Sequence, residues 1–449
     1  MRRLASPQRL LSTPTRRRTL AGAAVLALAG AVVGPALAHE DAPRTGEQWH
    51  AHHRLLVSDS SNGDIVVVDD GEVTARLSTP PAPISLATNR AGTAAFVMRG
   101  RDTTTDHLTM IDTAYDAEHG EATVPFISRT VVDKSPGGVH NGHLPEFDGT
   151  VGVAEEGAGT VTWIEPDSLP SLSGATSGQL RLAGPDHYTF VPVDQPGKGD
   201  DELVVGYVGR GIIASYNPTT GAKNWQVNGC RGLHGGTISD DQRYVTFACP
   251  TKLVTIDREQ TSPTPISVPY PGETRSAVFS DGTKDVRWGS TENAHTTIQR
   301  VDTSTARPEV SDVPLAVAPH SPGRGAGVAK KTVRTLLRQS TTPDGRTLLV
   351  LTHQGQLQVR DGDTGDLRYE VATSPATPLD FHEHTDRAEA PEVTATNEAA
   401  YATVPATGEV VKVNLAQQQI VERIKVGGMP TRAVLLTHGD GHERPEDLH

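Results

Sequence analysis

From His53 onward, apolar and polar residues alternate in short runs and almost never recur at helical spacing. Leu55 to Ser58, Ile65 to Val68 and Val73 to Leu77 are three such runs. Asn62-Gly63 and Asp70-Gly71 separate them, and such dipeptides supply the positive φ that a tight antiparallel hairpin needs. Comparable units return about every 45 to 50 residues, the period of propeller blades. Thr150-Val151-Gly152-Val153-Ala154 followed by Thr160-Val161-Thr162-Trp163-Ile164-Glu165 aligns with Tyr244-Val245-Thr246-Phe247-Ala248 followed by Lys252-Leu253-Val254-Thr255-Ile256-Asp257. Thr347 to Leu351 with Gln356 to Arg360, and Ala399 to Val404 with Glu409 to Asn414, repeat the pattern. Each pair reads as the second and third strand of a four-stranded blade.

This alignment predicts an all-β chain folded as an eight-bladed β-propeller, with units near 54–79, 84–130, 138–182, 186–228, 233–270, 274–314, 333–373 and 392–426. A weak pattern in the fourth unit leaves seven blades as the alternative. The first unit has only three strands, and Thr431 to Thr437 is the one strand-like run left unassigned. That run is expected to complete the first blade and so remove the open sheet edges. The propeller is placed at 53–437, preceded by a flexible His-containing segment at 39–52 and followed by a flexible tail at 438–449.

Residues 1–38 read as a secretory signal peptide: basic residues ending in Arg16-Arg17-Arg18, an apolar run from Leu20, and Ala36-Leu37-Ala38 before the cut. The three arginines also fit a twin-arginine signal, so both export routes stay open. Losing this segment removes six arginines and no acid, leaving 35 basic against 54 acidic residues and a net charge of −19. So acidic a surface argues against nucleic acid and anionic lipid as partners and favours cations. No later apolar run is long enough to span a bilayer, so an extracytoplasmic protein, expected to be monomeric, follows. Its two cysteines, Cys230 and Cys249, are expected to pair in an oxidising compartment, with a thiolate metal site as the rival reading.

Histidine placement carries the chemistry. In a four-stranded blade, the loop between strands two and three and the connection to the next blade lie on one face, here called the top. His140, His143, His187, His234, His320, His382 and His384 fall in blade-to-blade connections, and His295 and His353 in second-to-third-strand loops. Half of the 18 histidines thus map to one face. His140 and His234 each lie eleven residues before an equivalent valine, Val151 and Val245, which places them at matching starts of innermost strands. His143 follows His140 after a glycine, and Phe381-His382-Glu383-His384-Thr385-Asp386 sits in a long insertion on the same face. Imidazoles and carboxylates are the donors zinc takes, at about 2.0 to 2.2 Å in a tetrahedron; imidazole also suits copper and nickel, and zinc is favoured over them by availability and ligand flexibility. The expected ligands of one Zn2+ are therefore drawn from His140, His143, His234, His382 and His384. His39, His50, His52 and His53 are candidates for accessory metal capture, against the plain reading of a solvated tail. Both cysteines map to the top face, where a disulfide would steady the loop carrying His234.

The stretches Asn141-Gly142-His143-Leu144-Pro145-Glu146-Phe147, Cys230-Arg231-Gly232-Leu233-His234-Gly235 with Phe247-Ala248-Cys249, and Phe381-His382-Glu383-His384 resemble the AztD family of zinc metallochaperones. The resemblance extends over essentially the whole mature chain. It implies a non-enzymatic propeller that binds zinc and hands it to the solute-binding protein of a zinc ABC importer. Its N-terminal segment is poorer in histidine than the family pattern, which weakens a tail-assisted transfer. Two other classes compete: a metal-dependent propeller hydrolase or lyase using the same face, and an interaction module. A nucleophile elbow, an HExxH motif and a regular tryptophan repeat are all absent from the sequence, which disfavours the enzyme reading.

Overall fold

The structure is a computed structural model that describes residues 49–79, 83–99, 106–133, 144–147, 150–165, 176–193, 201–272, 275–290, 296–315, 334–377 and 390–437. Among these residues there is no helix, and the strands form eight four-stranded antiparallel sheets and one small three-stranded sheet. Blades 2 to 8 each run in chain order from the innermost strand outward. They begin at Pro83–Thr88, Glu146–Phe147, Tyr188–Val193, Gly236–Ile238, Val278–Asp281, Leu336–Thr341 and Val393–Ala395. Blade 1 is composite: Pro430–Thr437 lies innermost, paired with His53–Asp59, and Ile65–Asp69 and Glu72–Leu77 follow. Eight blades and the predicted closure are both present, and the fourth unit is a full blade.

Period-two patterning explains why the ring holds together. In Ile65–Asp69 every residue is buried, because the strand is covered on both faces by neighbouring blades. Leu55, Val57, Val66 and Val68 pack with Tyr401, Val410 and Ile424 of blade 8. The intervening Leu56, Ile65 and Val67 pack with Leu86, Ala95, Val97 and Ile111 of blade 2. Successive side chains point to opposite faces of a strand, so one strand feeds two interfaces. Each Val, Leu or Ile buried this way contributes about 1.5–3 kcal/mol relative to exposure. Every one of the eight blade-to-blade interfaces has such a cluster. Outer strands such as Lys223–Asn228 bury at most alternate residues, as an edge facing solvent should.

Antiparallel order also sorts the loops. Turns after first and third strands gather on the lower face, and those after second and fourth strands on the upper. The N-terminal stretch is seated below: Trp49–His50 pairs with Glu121–Ala122, which pairs with Tyr115–Asp116 in the third-to-fourth-strand connection of blade 2. Ala51 is buried, the Tyr115 hydroxyl donates to its carbonyl at 3.0 Å, and Asp70 accepts the backbone N–H groups of His52 and His53. Trp49 to His52 are therefore seated against blades 1 and 2. Arg54 ties this face together, with two bonds to Asp69 at 2.7 and 2.8 Å and one to the Thr113 carbonyl at 2.6 Å.

Candidate metal centre

Three consecutive blades bring Glu156, His187 and His234 together on the upper face. Glu156 stands in the turn between second and third strands of blade 3, where Gly159 takes φ +70° and donates its N–H to the Glu155 carbonyl at 2.9 Å. His187 ends the connection into blade 4, immediately before the innermost strand Tyr188–Val193. Asp186 anchors that connection by accepting N–H groups of His187 and Gly209 at 2.8 Å and of Arg210 at 3.0 Å.

His234 lies in the connection into blade 5, two residues before Gly236–Ile238. Several contacts hold it. The Gly232 N–H donates to the Val208 carbonyl at 2.8 Å, Leu233 is fully buried, and the His234 N–H donates to the Ala248 carbonyl at 2.7 Å. Gly235 has φ +76°, and a Cβ there would fall 2.3 Å from the Ala277 carbonyl oxygen, so only glycine fits. The same connection is bound to blade 5 by a Cys230–Cys249 disulfide.

The imidazoles meet edge on. His187 Nε2 lies 3.1 Å from His234 Nε2, with ring centroids 5.1 Å apart and planes inclined at 37°. On the far side of His187, Nδ1 is 2.8 Å from Glu156 Oε1, which also accepts the Tyr188 N–H at 3.2 Å. His234 Nδ1 has a longer contact, 3.4 Å, with the Ala277 carbonyl oxygen. His187 keeps 29% of its side-chain surface in contact with solvent, while Glu156 keeps 5%. The pair is therefore reachable from outside, and its supporting carboxylate is not.

Of the five expected ligands, His234 is at this centre, and His140, His143, His382 and His384 lie outside the described residues, as do His39, His295 and His320. His50, His52 and His53 are on the lower face, at the opposite end of the blades from His234. His353 is on the upper face but buried, with Nδ1 3.3 Å from the Thr377 carbonyl and its own carbonyl accepting the Thr377 N–H at 2.7 Å. It pins the chain just before the insertion that carries His382 and His384. His187 and Glu156 were not among the expected site residues. The eleven-residue rule measured distance to the second strand, and blade 4 has a longer path from Val193 to Glu202 than blade 5 has from Ile238 to Tyr244. Counting from the innermost strand would have found His187. Among the described residues no three histidine, cysteine or carboxylate side chains converge as a full metal cage. The two Nε2 atoms nevertheless suit one: nitrogens at about 2.0–2.1 Å from a tetrahedral zinc stand roughly 3.3–3.4 Å apart.

No family model matches the chain, and no curated relative does. Solved structures do. Citrobacter koseri AztD in its apo form superposes with a TM-score of 0.63 at 18% identity, over 86% of this chain and 98% of that one. A second Citrobacter koseri AztD structure gives 0.65 at 18% identity, over 85% and 97%. Dihydro-heme d1 dehydrogenase NirN, in complex with DHE, gives 0.60 at 15% identity, over 89% and 78%. The chain is thus an eight-bladed β-propeller that shares its fold, along most of its length, with the AztD structures.

Proposed function

We propose that the protein is an exported zinc metallochaperone that carries Zn2+ on the upper face of the propeller, with His187 and His234 among the ligands. The observation that supports this best is the pair of Nε2 atoms 3.1 Å apart, brought in from consecutive blades and each backed by an oxygen on its Nδ1 side. Metal-bound histidines commonly have such a backing oxygen, which orients the ring. His140, His143, His382 and His384 are the proposed source of the remaining donors. Likeness in fold to AztD adds to the reading, and the solute-binding protein of a zinc ABC importer is the proposed acceptor. The single disulfide and the lack, among the described residues, of any helix able to cross a membrane agree with an extracytoplasmic site of action.

Transfer, as opposed to turnover, distinguishes a carrier from propeller enzymes such as NirN that share the fold. Chelator competition should show tight zinc binding by the parent and at least a hundredfold loss in His187→Ala/His234→Ala. Loaded protein mixed with an apo zinc-importer solute-binding protein should pass on its metal faster than it loses zinc to an excess of chelator. Equal rates would rule out direct delivery, and unchanged affinity in the double variant would move the site elsewhere.

A further inference from the structure

On the lower face, where blade 4 meets blade 5, a cavity of about 440 Å3 opens at the opposite end of the blades from His187 and His234. That volume is within the range of small-molecule sites. Its buried part is an ion pair across the blade junction: Arg258 Nε of blade 5 donates to Glu202 Oε2 of blade 4 at 2.8 Å, and only 10% and 8% of the two side chains are exposed. Trp225, in the outer strand Lys223–Asn228, supplies an aromatic wall and is steadied by packing against the cluster of Val204, Ile213 and Val254. Three amide side chains also line the cavity, and each is held at one end by its own blade. Asn217 Oδ1 accepts the Thr220 N–H at 2.7 Å and the Thr220 hydroxyl at 2.9 Å, so its NH2 group is left to donate. Asn224 Nδ2 donates to Ser215 Oγ at 3.0 Å and Gln260 Nε2 to Asp257 Oδ2 at 3.2 Å, so their carbonyl oxygens are left to accept. Of the charged groups, Glu202 is matched by Arg258 and Glu259 by Arg243 at 3.3 Å, while Asp201 adds one further carboxylate acceptor.

We propose that this cavity binds a neutral saccharide. A sugar hydroxyl both donates and accepts, which suits a wall that offers amide N–H groups and amide and carboxylate oxygens together. The C–H face of a pyranose ring is apolar, and the indole of Trp225 is the surface that can cover it. An anion is a poorer match, because Arg258 is already held by Glu202 and by the Gln242 carbonyl at 2.9 Å, and Asp201 repels it. Because the amides are fixed at one end before any ligand arrives, less side-chain freedom is lost on binding. The cavity and the metal centre are on opposite faces, so this site stands apart from the zinc-carrier reading.

The chain has four tryptophans, so the indole N–H signals in a 1H–15N spectrum of the full protein are few enough to follow singly, with Trp225 identified by the signal lost in Trp225→Phe. The probes are cellobiose, maltose and diacetylchitobiose, with glycerol and choline chloride as controls for a simple polyol and for an organic cation. At least one disaccharide should move the Trp225 signal saturably, with a Kd of about 1 mM, and leave those of Trp163 and Trp288 in place. Asn224→Ala/Gln260→Ala removes two exposed acceptors that no strand depends on, and should weaken that binding about tenfold, the loss expected for two hydrogen bonds. If no disaccharide moves the Trp225 signal of the parent protein up to about 50 mM, the proposal is overturned without any variant having to fold. It is equally overturned if glycerol or choline moves that signal as strongly as the sugars do, or if the double variant binds the sugar as tightly as the parent.

Discussion

Reducing the Cys230–Cys249 bond should cost stability through the unfolded chain and leave the site itself largely intact. The cysteines are 19 residues apart in sequence. Closing a loop of that size removes entropy worth about 3 kcal/mol from the unfolded chain at 25 °C. Guanidinium unfolding of the parent protein, oxidised and fully reduced, isolates this quantity, because every side chain is otherwise the same. The reduced form should be less stable by about 3 kcal/mol, with a slightly steeper denaturant dependence as the unfolded chain expands. Zinc affinity is a separate matter. His234 stays paired to blade 5 through its N–H to the Ala248 carbonyl at 2.7 Å and through the Ala248 N–H to the Gly235 carbonyl at 3.1 Å. Cys230→Ala/Cys249→Ala should therefore bind zinc within tenfold of the parent. A stability difference under about 1 kcal/mol would refute the loop-closure argument. Loss of zinc binding in the alanine variant would show that the bond, and not the backbone pairing, holds His234 in place.

Two further outcomes follow from the fold. A chain ending at Met429 lacks Pro430–Thr437, with it the buried Ala433 and Leu436, and exposes the edge of His53–Asp59. Size-exclusion chromatography should find it aggregated, and a soluble, folded monomer would refute closure by this strand. At the turn of blade 7, the Thr364 N–H, the Arg368 guanidinium and the Asp363 N–H hold the Asp361 carboxyl at about 2, below its ordinary value. A depressed carboxylate stabilises the fold above the unfolded pKa near 3.9 and stops doing so as pH falls toward about 2. Partial exposure limits this to about 1 kcal/mol. Asp361→Asn should lower the melting temperature at pH 7, and the difference from the parent should vanish toward pH 2.

The blade count and the composite first blade were legible in the chain because each depends on short-range pattern, and the disulfide because two cysteines in an oxidising compartment have one possible pairing. Ile65 to Val68 and Thr347 to Leu351 carry strand-like runs of β-branched and aliphatic residues, and turn dipeptides such as Asn62-Gly63 mark their ends. Three strands in the first unit and one spare at the end left a single way to close the ring. With strand order known, upper and lower faces follow, so His234 could be placed on the upper face from sequence.

What the sequence did not determine is which side chains meet across blades. Glu156, His187 and His234 are 31 and 47 residues apart, and no local pattern links them. Hairpin length varies from blade to blade, so a spacing counted to the second strand slips when the first loop lengthens, as it does after Val193. Nor could alternation alone show that Trp49 and His50 pair with Glu121 and Ala122 on the lower face, away from His234. Alternation fixes the face of a strand on which a residue lies, because it is a property of the extended backbone. The distance between residues of neighbouring blades is set by the packing that closes the ring, where clusters such as Val191, Leu233 and Phe247 fix how blade 4 sits on blade 5 and so bring two imidazole nitrogens within 3.1 Å.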